Sequence, residues 1–312
     1  SQAVVKMEGK YADFSAAVDE LESRLRTQRN EPMRSLTLGL MGIQRSRKTG
    51  LPVYEKIDDE YFDRATFLKR FETDEKLENK YPKRTTKKLC EKSFGFEPCD
   101  SRIAYYIEDI TKYNDWIAVI HADGNGLGQI VQKIGNDKNQ FKEFSQQLDD
   151  VTIAAANSAY VATMKKYGIS EKEVIPIRPI VLGGDDFTAI CRGDMALFYT
   201  KEFLKHFEKH SELRLGELLG RNNVFGTGGV CKLTSCAGIT FIKSSYPFYY
   251  GYDLAESLCD RAKKDAKKNL ENELAPSCLM FHKVQDSFVT DFDKIVAREL
   301  TPVKGHISFE YG

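Results

Sequence analysis

Apolar and polar positions alternate differently in the two parts of this chain. Before about residue 110 the pattern is polar and irregular. One helical spacing stands out there: Phe14, Val18, Leu21 and Leu25 recur at intervals of three and four, which predicts a helix from about Asp13 to Leu25. Leu36 to Ile43 reads as a candidate strand. Arg45 to Lys92 is dense in charges of both signs. Within it, Lys83-Arg84-Thr85-Thr86-Lys87-Lys88 reads as a solvated basic loop, with a phosphate or RNA contact as the sharper alternative.

From Asp115 onward the periodicity is clean. Trp116-Ile117-Ala118-Val119-Ile120 has the length and composition of a buried strand, and Gly124, Gly126 and Gly128 break it. Phe141, Phe144, Leu148, Val151, Ala155, Ala159 and Ala162 then trace one face of a long helix. Ile177 to Leu182 and Phe187 to Cys191 form a hairpin around Gly183-Gly184-Asp185-Asp186. Asp194 is a plausible N-cap for a helix burying Met195, Phe198, Phe203 and Phe207. Ser211 to Gly229 reads as an irregular connection. Leu233, Ser235, Ala237, Ile239 and Phe241 alternate as a strand. Asp253 can cap a helix with Leu254, Leu258, Ala262, Ala266 and Leu270 on its apolar stripe, and a last strand runs near Ser277 to Lys283. The expected architecture is α+β: a ferredoxin-like palm, an antiparallel sheet with helices on one face, plus an irregular N-terminal region. Its expected boundaries are an accessory region at 1–110, the palm at 111–290 and a tail at 291–312.

Composition narrows the classes. The chain has 312 residues, 41% hydrophobic and 29% charged, with 46 basic and 46 acidic residues. That profile is globular, and its neutral balance argues against a protein that lives on bulk phosphate contacts. No apolar stretch has the length of a membrane span, and Ser1 to Lys6 lacks the apolar run of a signal peptide, so a cytoplasmic protein without membrane contact is expected. Seven Cys without CxxC spacing read as reduced thiols rather than a zinc site.

Three motifs could carry chemistry. Asp123 stands where an apolar strand stops, and Gly124, Asn125 and Gly126 after it form a loop whose amides can approach phosphate oxygens. Alone, this reads first as an ordinary Asp-Gly turn. Asp185 and Asp186 share a hairpin tip, where paired carboxylates repel unless a cation lies between them. Magnesium prefers carboxylate oxygens and substrate phosphates, and Gly183 and Gly184 clear space for a nucleotide. Lys263 and Lys267, one helical turn apart, can meet phosphates or simply face water. A palm sheet sets the end of its first strand beside the tip of its central hairpin, which would bring Asp123 to Asp185 and Asp186.

The strings IHADGNGLG (Ile120 to Gly128), IPIRPIVLGGDDF (Ile175 to Phe187), LTSCAGIT (Leu233 to Thr240) and AESLCDRAKKDAKKN (Ala255 to Asn269) resemble the GGDD palm domain of the large signalling subunit of type III CRISPR complexes. That domain is itself related to the GGDEF diguanylate cyclases. The resemblance covers about residues 115 to 285. It implies Asp123, Asp185 and Asp186 as catalytic residues and ligands of two magnesium ions, with manganese an alternative. It implies Gly124, Asn125, Gly126, Gly183, Gly184, Lys263 and Lys267 as nucleotide-binding positions. The activity implied is nucleotidyl transfer, joining nucleoside triphosphates, ATP foremost, into cyclic or short oligonucleotide messengers in antiviral defence. His121 stands where the cyclases often carry a first Asp. Arg178 is followed by Val181 rather than the Asp of their inhibitory site.

Two other classes stay open at this stage. One is a non-catalytic palm binding nucleotide or RNA within a larger CRISPR-type RNA–protein complex. The other is a templated polymerase, which the neutral charge supports little. Joining two nucleotides needs two facing sites, and only one GGDD hairpin is visible, so a homodimer with facing palms is expected.

Overall fold

The computed structural model describes residues 2–9, 13–31, 42–57, 59–70, 84–111, 115–134, 137–222, 231–268, 274–285, 292–296, 303–304 and 307–308. The chain divides into two compact units, Ser1–Thr85 with Gly135–Lys138, and Thr86–Ile134 with Asn139–Gly312.

In the first unit, α1 (Phe14–Asn30) begins at Asp13, whose carboxylate accepts from the Ala16 amide at 3.2 Å, as an N-cap should. The antiparallel pair β1 (Val53–Ile57) and β2 (Glu60–Asp63) leads into α2 (Arg64–Arg70), and Phe62, Phe67 and Ile57 make a small core. Most of the candidate strand at Leu36 to Ile43 lies outside the described residues.

The second unit holds nearly all of α3 (Arg84–Phe94) and of α5 (Lys138–Tyr167), together with β3 (Trp116–Gly124), α4 (Leu127–Ile134), β4 (Ile177–Gly183), β5 (Asp186–Arg192), α6 (Ala196–Arg221), β6 (Ser235–Lys243), α7 (Phe248–Lys267) and β7 (Leu279–Lys283). A short helix α8 (Phe292–Ile295) and the small pair β8 (Val303–Lys304) and β9 (Ile307–Ser308) follow. The sheet order is β4-β5-β3-β6-β7, with β3 at the centre.

The expected α+β palm is the fold observed, with two particulars that differ. The β6–β7 pair is parallel, so the sheet is mixed; α7 supplies the crossover that parallel neighbours require. Helices also cover both faces rather than one. Ala118, Ile120, Ala122, Phe187 and Ile239 pack with Val151 and Ala155 of α5 and Phe203 and Phe207 of α6. Ile117, Val119, Ile190 and Ile242 pack with Leu254 and Leu258 of α7. The reason is in β3 itself, since an unbroken apolar run needs cover on both sides. Gly238 makes this close packing possible. A Cβ there would lie 1.9 Å from the Ala255 carbonyl oxygen and 2.6 Å from the Cys259 amide, so the α7 backbone rests directly on β6.

Four local expectations are corrected. Arg84 to Lys88 belong to α3 rather than a loop, and Lys87 pairs with Glu97 at 2.8 Å. Ser211 to Arg221 continue α6, where an irregular connection was expected. Asp194 does not cap α6: its carboxylate accepts two hydrogen bonds from Arg192, at 2.7 and 3.0 Å. Asp253 lies inside α7, which starts at Phe248 after Pro247. In the last two cases the helix start was misread, while Leu254, Leu258, Ala262 and Ala266 line the buried face of α7 as expected; Leu270 lies outside the described residues. No helix among the described residues is long and apolar enough to cross a membrane.

Candidate active site

The acidic residues meet at one end of the sheet. β3 is hydrogen-bonded to β5 on one side and β6 on the other, so Asp123, next to last in β3, stands beside the β4–β5 hairpin tip. Gly183 pairs with Asp186, which leaves Gly184 and Asp185 as a two-residue turn. Gly184 has φ +61°, the left-handed value that the first position of a tight hairpin turn demands and glycine tolerates. The result is that Asp123, Asp185 and Asp186 each offer a carboxylate oxygen within 4.8 Å of the others.

Gly124 is needed for this approach. A Cβ there would meet the Asp185 side chain at 3.1 Å and the Leu127 methyl at 2.6 Å. Lys263 of α7 reaches across to form an ion pair with Asp123. Its partner strand face also carries His121, whose Nδ1 lies 3.0 Å from the Thr188 hydroxyl and whose ring meets Tyr252 edge-on at 5.7 Å. His121 is therefore held inside the fold beside the triad.

The electrostatics follow from crowding. Burial raises the Asp185 carboxyl, and its hydrogen bond to Asp123 and the Asp123 charge raise it further, to about 7. Asp186 is raised for the same reasons, burial first and then Asp123, against relief from His121 and Lys263. For Asp123 burial also pushes upward, but hydrogen bonds from Asp185 and Lys263 and the Lys263 charge outweigh it, and its carboxylate stays ionised. Lys263 is raised: desolvation opposes its charge, and the Asp123 carboxylate more than offsets that. Three clustered carboxyls with one ammonium leave excess negative charge, which a hard divalent cation with oxygen preference would relieve. The donor set therefore fits magnesium or manganese.

The other sequence-predicted positions divide. Gly126, with φ +71°, lets the chain turn from β3 into α4. Asn125 is buried: its amide donates to the Thr234 carbonyl at 2.9 Å, and its side chain donates to the Thr234 hydroxyl at 3.0 Å. It pins the loop to β6, so its donors are turned inward. Lys267 is exposed at the last residue of α7, and the structure brings it to none of the three carboxylates. Arg178 donates to the Tyr105 carbonyl at 2.8 Å, a structural contact.

Two residues that sequence reasoning missed hold the hairpin tip. On α5, Asp149 accepts from the Gly184 amide at 3.2 Å, and the buried Thr152 hydroxyl donates to the Gly184 carbonyl. Both polar groups of the turn glycine are thus bound from one helix. Thr152, on the buried stripe of α5, was the available signal.

An acidic triad at the end of a palm sheet, facing a helix lysine, defines the palm class of nucleotide-handling domains. Residues 116–271 match the family model "Cas10/Cmr2, second palm domain". That is half of the chain, and the chain belongs to this family. Similar solved structures include Csm1 of T. onnurineus, at 17% identity and TM-score 0.38, covering 52% of this chain and 21% of that one. A Csm1–Csm4 cassette in complex with one ATP has 17% identity and TM-score 0.37, with coverage of 51% and 21%. The same cassette in complex with cA4 has 17% identity and TM-score 0.34, with coverage of 48% and 20%. The matched region spans about a fifth of those chains. No curated protein matches the chain.

Proposed function

We propose that this chain is a magnesium-dependent nucleotidyltransferase that joins nucleoside triphosphates, ATP foremost, into cyclic or short oligonucleotide messengers for antiviral defence. The observation that carries this reading is the convergence of Asp123, Asp185 and Asp186 within 4.8 Å at the sheet end, with Lys263 paired to Asp123. Membership of the Cas10/Cmr2 second-palm family supports it.

The residues would divide the work as follows. Asp123, Asp185 and Asp186 would hold two magnesium ions, whose chemistry is activation of a 3′-hydroxyl and neutralisation of the leaving pyrophosphate. The hydroxyl oxygen attacks the α-phosphorus, the bond to pyrophosphate breaks, and the hydroxyl proton is released. Asp185 must give up its own proton when a cation binds, so loading is favoured as pH rises through about 7. Lys263, paired with Asp123 here, would then be free to meet the triphosphate. Gly183 and Gly184 leave the turn without side chains where a base or ribose would lie. Lys267, one turn beyond Lys263, would meet the far phosphates.

The second nucleotide needs a facing site, and we assign it to a second copy of the palm. Association with a CRISPR-type RNA–protein complex is the setting in which this would operate. The test is mass spectrometry of products from a mixture of the four ribonucleoside triphosphates with magnesium, alongside Asp185→Ala and Asp186→Ala. Linked nucleotides from the wild type and none from either variant are expected. ATP binding without any product would instead establish a non-catalytic palm. Light scattering with a non-hydrolysable triphosphate tests the dimer, and a constant monomer mass with full activity would exclude it.

A further inference from the structure

The end of the sheet far from the acidic triad carries a second arrangement that the proposed reaction does not use. β3 begins at Trp116 and ends at Gly124, so Trp116 lies roughly 23 Å along the strand from Asp123 at the usual rise per residue. The indole has two ammonium groups over it: Lys243 Nζ is 4.5 Å and Lys283 Nζ 4.3 Å from the ring centroid. These lysines end β6 and β7, and β6 pairs with β3 so that Lys243 sits opposite Trp116. Neither has a carboxylate partner among the described residues, unlike Lys263, Lys87 and Lys232. A ring face attracts a cation without cancelling its charge. Two positive charges are therefore held side by side, and no carboxylate among the described residues is ion-paired with either.

They stand at a cleft of about 620 Å³, which Trp116, Lys243 and Lys283 line together with Ser245, Tyr246 and Gln285. Pro247 lines it too, where α7 starts without a capping side chain and with no acidic residue in its first turn. Beyond Tyr246 the aromatic surface continues: Tyr250 meets its ring at 6.4 Å and is 49% exposed. Lysines that no described carboxylate pairs with, set beside half-exposed aromatic rings, are what nucleic-acid backbones and bases select, phosphate on the ammonium groups and base on the aromatic face. In a chain of balanced overall charge, this pairing of two lysines on one ring is not a by-product of composition.

We propose that this cleft binds a nucleotide unit, its phosphate drawn between Lys243 and Lys283 and its base laid on the indole face of Trp116 that the ammonium groups release. The unit is either a free nucleoside triphosphate or one link of a single-stranded RNA that continues over Tyr250. This site is independent of the acidic triad, and its occupant does not react there.

The chain has one tryptophan, so indole fluorescence reports this cleft alone. The experiment titrates the full chain, with EDTA present, using a short single-stranded oligouridylate in one arm and ATP in the other. Saturable quenching is expected. Saturation by the oligomer alone identifies a strand, and saturation by ATP at equal or lower concentration identifies the free nucleotide. The double variant Lys243→Ala/Lys283→Ala should weaken binding at least about tenfold and lower the slope of log Kd against log salt by about 1.4 for the strand. The Lys243→Gln/Lys283→Gln pair repeats this with less loss of side-chain packing, and melting curves check both folds. Asp185→Asn should quench as the wild type does. The proposal is overturned by unchanged fluorescence with both probes at millimolar concentration. It is equally overturned if folded lysine variants keep the wild-type Kd, or if Asp185→Asn abolishes the quenching.

Discussion

Replacing Asp185 by Asn keeps the side chain's shape and its hydrogen bond to Asp123 while removing a charge that the site resists. In the wild type, burial and Asp123 raise the Asp185 carboxyl from its ordinary 3.8 to about 7. The folded, metal-free protein thus binds this proton more tightly than the unfolded chain does. The stability that Asp185 contributes is full below about pH 4, falls as pH rises towards 7, and is gone above it. A shift of about three units corresponds to about 4 kcal/mol if fully expressed. Asp185 is partly open to solvent and shares its proton with Asp123, so about 2 kcal/mol is expected in practice. The Asn variant should escape this loss. In EDTA near pH 8 it should melt about 4–8 °C above the wild type, and the gap should close near pH 4. Magnesium should reverse the order near pH 8, because the wild type gains a ligand that the variant holds poorly. The assay is thermal unfolding followed by circular dichroism, in EDTA and in magnesium, across pH 4 to 8. Parallel pH profiles for the two proteins in EDTA would refute the crowded-carboxylate account.

Three further outcomes follow from particular contacts. Gly238→Ala drives a methyl group into the α7 backbone and should cost about 3 kcal/mol, read as a lower urea midpoint with unchanged slope; a midpoint equal to wild type would mean that α7 does not rest on β6. Thr152→Val keeps volume but removes the hydroxyl that holds the Gly184 carbonyl, so a loss of about 1–2 kcal/mol in stability and a slower transfer rate are expected from melting and product formation together. Lys263→Met should weaken magnesium–ATP binding about tenfold by calorimetry, through one lost charge–phosphate contact, and an unchanged constant would leave Lys263 as a partner of Asp123 only.

Much of this architecture is written in local pattern. The apolar run of β3, the stripe of α5 and the alternation of β6 each follow from neighbours in sequence, because burial of one face requires a fixed period. The order of those elements implied a palm, and a palm implied that Asp123 would meet Asp185 and Asp186. Positions where local chemistry has several solutions were less legible. Asp194 and Asp253 are good N-cap residues, yet one pairs with Arg192 and the other lies within α7, because packing against the sheet sets where those helices begin. Asn125 looked like a loop residue facing a ligand. Only the fold turns it inward to Thr234, more than a hundred residues away in sequence.

The sequence by itself determined the main strands and helices from β3 onward, their order and the three acidic positions, since these depend on periodicity and on glycines that break it. Tertiary structure alone decided which face α7 covers, which helix grips the Gly184 turn, and how unequal the three carboxyls are. It alone also sets Lys243 and Lys283 over Trp116. Each of these is a contact between distant segments. Its strength depends on burial and on distances of a few ångströms, which no local pattern encodes.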